Sequence, residues 1–258
     1  MQEKPYEVFF ISAGPGDPGL MTLSGAEALK ACPFVLAPAQ FAESFAKFLN
    51  GKEVRSPFQM DRATLTSWVE ERLQAGSVAF LVPGDFSVFC PFQSFAAYFG
   101  ARSVVIPGVS THVAAMSILK KSMDVPGVAH AAVITSTRAH TRGGEPAIPA
   151  LADPGRTLVL YMMDKPLAEL VTSLSPPYGE DTPIAIFERV ACPGQKVTVS
   201  TLGKVVDDFG GRDPFGLDSD SPEPALALVI VGDAVATDEA PGWWDHRYEK
   251  VWKPRNMR

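Results

Sequence analysis

Three short apolar runs each lead straight into a turn built from glycine and proline: VFFIS at 8–12, VAFLV at 78–82 and SVVI at 103–106. The turns are Gly14-Pro15-Gly16-Asp17-Pro18, Pro83-Gly84-Asp85-Phe86-Ser87 and Pro107-Gly108-Val109-Ser110. Runs of four or five β-branched and aromatic residues read as buried strands, and the stretches between them are long enough for helical crossovers. That alternation predicts a parallel α/β sheet, whose ligands bind beyond the carboxyl ends of its strands. Glycine lets a ligand approach the backbone closely and proline stiffens a turn. Any one of the three is an ordinary tight turn, but all three at strand ends argue for a shared ligand cleft.

The first turn also matches G-x-G-x-x-G through Gly14, Gly16 and Gly19. A dinucleotide site should place its third glycine inside a helix and an acid about 20 residues further on, at the end of the second strand. Here Thr22 is the better helix start, and the next strand ends FVLAPAQ with no acid. The dinucleotide reading fails on context.

Helices are predicted at Thr22–Ala31, Ala63–Gln74, Phe92–Phe99, Thr111–Lys120, Pro166–Leu174 and Leu202–Phe209. Further strands are predicted at Phe34–Ala37, Ala131–Thr135, Thr157–Met162, Pro183–Phe187, Lys196–Thr201 and Ala225–Val231. The second half is strand-dense with fewer crossovers, which suggests a mixed sheet. Residues 139–156 and 210–224 read as loops. The division expected is 1–110, 111–240 and a tail at 241–258.

Net charge is −6 with a pI near 5.3, and only the tail is locally basic, so nucleic acid is an unexpected partner. Three scattered cysteines, Cys32, Cys90 and Cys192, suit reduced thiols rather than a disulfide framework or a metal site. Neither a secretory leader nor a membrane-spanning run is recognisable. A soluble, cytoplasmic protein is expected.

The segments AGPGDPGLMTLSGAEAL (13–29), PGDFSVF (83–89), IPGVSTHVAAMSIL (106–119), TPIAIFERVACPGQKVTVSTL (182–202) and ALALVIVG (225–232) together resemble the tetrapyrrole methylase family. Within it, VPGVAHAAVITSTRAHT (125–141) and ERVACPGQKVTVSTL (188–202) resemble the group that methylates precorrin-4 at C-11. The second loop departs from the family's Gly-Asp-Pro-Ser pattern with its aromatic-glycine pair: Phe86 replaces the proline, Phe89 a tyrosine and Cys90 the glycine.

The resemblance implies two α/β domains with S-adenosylmethionine in the cleft between them, and a homodimer. It implies C-methylation of a tetrapyrrole, precorrin-4 or its cobalt form, with uroporphyrinogen III, another precorrin or a non-tetrapyrrole as the alternative acceptor. Cofactor contacts carried over from the family are Pro83, Gly84, Asp85, Ser87, Val88, Ser110, Thr111, Met162, Met163, Arg189, Val190 and Ala191. For the two methionines, core filling is the competing reading. Gly14, Gly16, Asp17 and Arg138 are carried over as substrate contacts, with Arg142 and either Lys120 or Lys121 as further cations for a polycarboxylate. Asp17 is the candidate catalytic carboxylate; a carboxylate capping its own loop is the alternative. His112 is either a base or a structural residue at a helix start. Transfer from a sulfonium to an electron-rich carbon demands positioning above all, so no protein nucleophile is required.

Overall fold

The computed structural model describes residues 6–41, 43–217, 226–238 and 242–256. It separates into two compact units. The first holds the chain through Ala115 and regains it at Phe187–Lys196; the second holds Met116–Ile186, Val197–Leu217 and the chain from Ala227 onward. Each unit carries one five-stranded sheet.

The first sheet has β1 (Val8–Ser12), β2 (Phe34–Leu36), β3 (Glu53–Arg55), β4 (Val78–Val82) and β5 (Ser103–Ile106), in the order β3-β2-β4-β1-β5 and parallel throughout. All five residues of β4 are buried, as expected of a strand covered on both faces. Period-two alternation sends Ile11, Val35, Ala79 and Leu81 to one face, against Leu29 of α1 (Leu23–Ala31), Phe41 and Phe45. Val8, Phe10, Val78 and Phe80 go to the other, against Leu65, Trp68 and Val69 of α3 (Arg62–Arg72) and Phe99 of α4 (Gln93–Phe99). The short α2 (Ala46–Leu49) lies between β2 and β3 in the chain.

Local chemistry starts the helices. The Gly25 N–H donates to Thr22 Oγ1 at 3.1 Å at the head of α1, and the Thr64 N–H to Asp61 Oδ1 at 2.7 Å at the head of α3. Strand β3 was not expected, because EVR carries no apolar run. It forms because it pairs with β2, and because Arg72 donates through Nε and Nη2 to both carboxylate oxygens of Glu53, at 2.9 and 2.8 Å.

The second sheet has β6 (Ala131–Ser136), β7 (Arg156–Tyr161), β8 (Pro183–Glu188), β9 (Lys196–Thr201) and β10 (Ala227–Val231), in the order β6-β7-β10-β8-β9. β6 and β7 are parallel, and β10 runs antiparallel to β7, so this sheet is mixed as expected. The connecting helix α5 (Thr111–Leu119) and α8 (Val205–Phe209) fall where expected, while α6 (Ile148–Leu151) occupies a stretch read as loop. Helix α7 (Leu167–Tyr178) runs through Pro176 and Pro177, four residues past its expected end. Tyr178 explains the extension: it is buried, and its hydroxyl donates to the Arg156 carbonyl at 3.0 Å. The tail is helical, with α9 (Trp243–Arg247) and α10 (Lys253–Asn256) flanking a π-helical turn. The first residue of the expected Ala225–Val231 strand and positions 218–224 of the expected 210–224 loop lie outside the described residues. No helix among the described residues is long and apolar enough to cross a membrane.

Candidate functional site

Because β4, β1 and β5 are adjacent and parallel, the three glycine turns leave the same edge of the first sheet. Two of them are joined through their backbones. The Gly14 N–H donates to the Gly84 carbonyl at 3.1 Å, and the Gly84 N–H to the Gly14 carbonyl at 2.8 Å. Both residues lie in the left-handed region, with φ of 75° and 70°, where a side chain is strained. A Cβ on Gly84 would also come within 3.1 Å of Thr111 Oγ1, so α5 begins directly over this turn.

Asp85 ties the second turn to the third. Its Oδ2 accepts the Gly108 N–H at 2.8 Å, while Oδ1 accepts the Ser87 N–H at 2.9 Å and the Ser87 hydroxyl. Burial disfavours the charged carboxylate, yet the donors from Ser87, Gly108 and Ser12 outweigh it and hold the pKa below the ordinary range. Asp85 is thus an ionised staple between loops. Beside it, Ser110 Oγ lies 2.9 Å from His112 Nδ1, and both side chains are buried. Burial pushes the imidazole pKa down, partly opposed by the Asp85 charge, so the ring is neutral at pH 7.

The first turn is shaped from two sides. Asp17 caps a short 3₁₀ turn at Pro18–Leu20, its Oδ1 accepting the Gly19 N–H at 2.7 Å, with the carboxylate at the surface. The capping alternative is therefore realised at one of its oxygens. Behind the turn, the Cys192 thiol donates to the Pro15 carbonyl at 3.2 Å, and a Cβ on Gly16 would fall 2.0 Å from the sulfur. Cys192 belongs to the 187–196 excursion, which also holds Arg189, Val190 and Ala191. Arg189 and Ala191 are left-handed, with φ of 58° and 52°. Arg189 is held by its N–H to the Leu226 carbonyl at 2.7 Å and by Nε to the Pro193 carbonyl at 2.8 Å, and Val190 is buried.

In the second unit, the parallel strands β6 and β7 end side by side. The buried Thr137 hydroxyl donates to the Met162 carbonyl at 2.7 Å and accepts the Asp164 N–H at 3.1 Å. Met162 is left-handed, with φ of 50°, and 41% exposed. Met163 is a member of the unit's apolar core, which is the core-filling alternative. Arg138 is exposed on the turn after β6; its N–H donates to Ser136 Oγ at 3.0 Å. Lys121 is paired with Asp238, and Lys120 is exposed with φ of 59°.

Sequence reasoning placed the glycine turns, Asp85, Ser110 and Thr111 at one edge. It missed Ser12, Thr137 and Cys192. Ser12 is the one polar residue of VFFIS, a signal that was available; the roles of Thr137 and Cys192 depend on contacts that only the fold creates. Phe89 is 43% exposed with φ of 50°, a further strained residue at this edge.

The family model for tetrapyrrole (corrin/porphyrin) methylases matches residues 7–206. The chain is 26% identical to a precorrin-4 C(11)-methyltransferase of Pseudomonas aeruginosa, over 90% of this chain and 91% of that protein. It is 29% identical to a uroporphyrinogen-III C-methyltransferase of the same species, over 88% and 93%. Among solved structures, a cobalt precorrin-4 methyltransferase shares the fold, with a TM-score of 0.71 at 21% identity over 90% of this chain and 96% of that one. A uroporphyrin-III C-methyltransferase of Thermus thermophilus, complexed with S-adenosylhomocysteine, has a TM-score of 0.65 at 25% identity, covering 91% and 97%.

Proposed function

The chain belongs to the tetrapyrrole (corrin/porphyrin) methylase family, and on that premise we propose that it is an S-adenosylmethionine-dependent C-methyltransferase whose acceptor is precorrin-4 or cobalt-precorrin-4, methylated at C-11. The observation that carries this reading is the loop edge of the first sheet. Three turns, two of them cross-linked at Gly14–Gly84 and two at Asp85–Gly108, form a rigid rim where a parallel sheet places its ligands. Precorrin-4 methyltransferases of several species among the relatives support the acceptor.

The residues fit an adenosyl ligand. Gly84 brings bare backbone to the rim, while Ser87 and Thr111 add hydroxyls beside it. S-adenosylmethionine, when bound, supplies an electrophilic methyl group, so the protein's task is alignment of two ligands. Pro83, Gly84, Asp85, Ser87, Val88, Ser110 and Thr111 hold the cofactor from this rim, with Met162, Met163 and Arg189–Ala191 contributing from their own segments. Asp85 keeps the second and third turns in register. Gly14, Gly16 and Arg138 contact the tetrapyrrole, Arg138 pairing with one of its carboxylates. Asp17 takes the proton released after transfer, through the oxygen not committed to Gly19. The enzyme works as a homodimer, a state that sedimentation equilibrium measures directly.

Calorimetric titration with S-adenosylhomocysteine tests the cofactor; absence of binding sinks the proposal. Turnover with precorrin-4 and with uroporphyrinogen III, read by mass spectrometry, tests the acceptor. Uroporphyrinogen III is the second reading, favoured by the 29% identical relative and by the altered loop at Phe86, Phe89 and Cys90. If Asp17→Ala leaves both affinity and turnover untouched, the first turn has been misplaced in the mechanism.

A further inference from the structure

Ser12 ends an otherwise apolar strand and is completely buried. A hydroxyl in such a place costs free energy unless it is bonded, and packing alone would be served as well by alanine. Its Oγ accepts the backbone N–H of Phe86 at 3.0 Å, from a residue 74 positions further along the chain. The Phe86 ring in turn meets Phe10 edge-on, with centroids 5.8 Å apart, so backbone and side chain of this residue are both fastened to β1. The neighbouring Asp85 carries the connection on to the Gly108 N–H. Gly108 itself lies against Ser12: a Cβ there would sit 2.4 Å from the Ser12 carbonyl oxygen and 2.7 Å from Ser12 Cβ. Ser12 is therefore touched by the turn after β4 and by the turn after β5.

We infer that the Ser12 hydroxyl is a positioning group, latching the 83–89 turn to β1 and thereby setting the shape of the rim on which the adenosyl ligand is held. The effect on the ligand rests on the function proposed above; the latch does not. Ser12 touches neither reacting atom and acts only through Phe86, Asp85 and Gly108. Two different deletions reach the same bond. Ser12→Ala removes the acceptor together with the hydroxyl's own bond to Asp85, and Phe86→Pro removes only the donor, proline being the residue without a backbone N–H. Phe86→Leu keeps the N–H and trims only the ring.

The test is S-adenosylhomocysteine titration of the full chain and its variants, with amide hydrogen exchange on the ligand-free proteins. Ser12→Ala should weaken affinity at least about tenfold, since the bond from Phe86 and the bond to Asp85 go together, and leave the KM for the tetrapyrrole unchanged. Phe86→Pro should do the same, and the double variant should be no worse than the poorer single one. Phe86→Leu should bind within about twofold of the parent. In exchange, the Phe86 amide should lose protection in Ser12→Ala while β4 keeps its own. Parent-like affinity in Ser12→Ala, fully additive losses, or a Phe86 amide equally protected without the hydroxyl would each overturn the latch. If the parent chain binds no S-adenosylhomocysteine, the proposed function falls alone, and exchange at Phe86 still decides the latch. The same measurement decides it should Phe86→Pro fail to fold.

Discussion

The two sheets end in edges built on opposite rules. At the edge of the first sheet the positions that join the turns are glycines, with Gly14 and Gly84 left-handed and Gly108 pressed against Ser12, and Phe89 is the exception further round the second turn. At the end of β7 the left-handed residue is Met162, and on the 187–196 excursion it is Arg189 and Ala191. Glycine enters such a conformation without penalty, whereas a side chain there costs of order 1 kcal/mol or more. The first edge is shaped so that backbone can come close to whatever lies beyond it. The others accept strain to keep particular side chains where they are.

That contrast breaks most sharply at Gly108. A methyl group there meets backbone atoms, which cannot rotate away, so Gly108→Ala should cost about 3 kcal/mol in urea denaturation. A loss under about 1 kcal/mol would mean that the rim yields easily and is not built to a fixed shape. At the second edge, Thr137→Val keeps the shape and removes the hydroxyl that joins Met162 to Asp164. It should cost about 1–2 kcal/mol by the same measurement, and an unchanged midpoint would show that the Thr137 hydroxyl does not secure this turn.

A smaller effect of the opposite sign is expected at Met162. Met162→Gly should raise stability by about 0.5–1 kcal/mol, since glycine relieves the left-handed strain, while S-adenosylhomocysteine binds less tightly. Tighter or equal binding together with higher stability would show that the strain serves no ligand.

The pH profile sharpens the first edge further. The folded-state pKa of His112 lies below its unfolded value, so its contribution is fully present above the ordinary imidazole range and is lost as pH falls through it. Asp85 is likewise depressed, and its contribution goes at lower pH, as acid titrates the folded carboxylate. Urea midpoints should therefore fall in two stages on acidification. His112→Gln should remove the upper stage and leave the lower, and an unaltered upper stage would assign it elsewhere.

Much of this was readable from the chain. Strand β4 is apolar and buried at every position because helices cover both faces, β1 departs from that pattern only at Ser12, and the turns after β1, β4 and β5 are spelled in glycine and proline. What escaped was decided by contacts between distant residues. Strand β3 exists through its pairing with β2 and its Arg72–Glu53 fork, not through its own composition. Helix α7 crosses two prolines because Tyr178 has a carbonyl to reach. Left-handed Met162, Arg189 and Ala191 carry no local signature, since nothing in those side chains prefers that backbone. Asp17 was legible as a loop carboxylate, but only the structure shows one oxygen given to Gly19.

The thiol of Cys192 behind Pro15 and Gly16 also sets an order in time. During synthesis, the first 115 residues leave the ribosome carrying all five strands of the parallel sheet, yet the wall behind its first turn is still untranslated. That turn gains its backing only when Phe187–Lys196 emerges, 177 positions after the carbonyl that Cys192 holds. The nascent sheet is complete long before its first turn is backed, so a fragment ending near Ala115 should form strands and leave that turn unfinished.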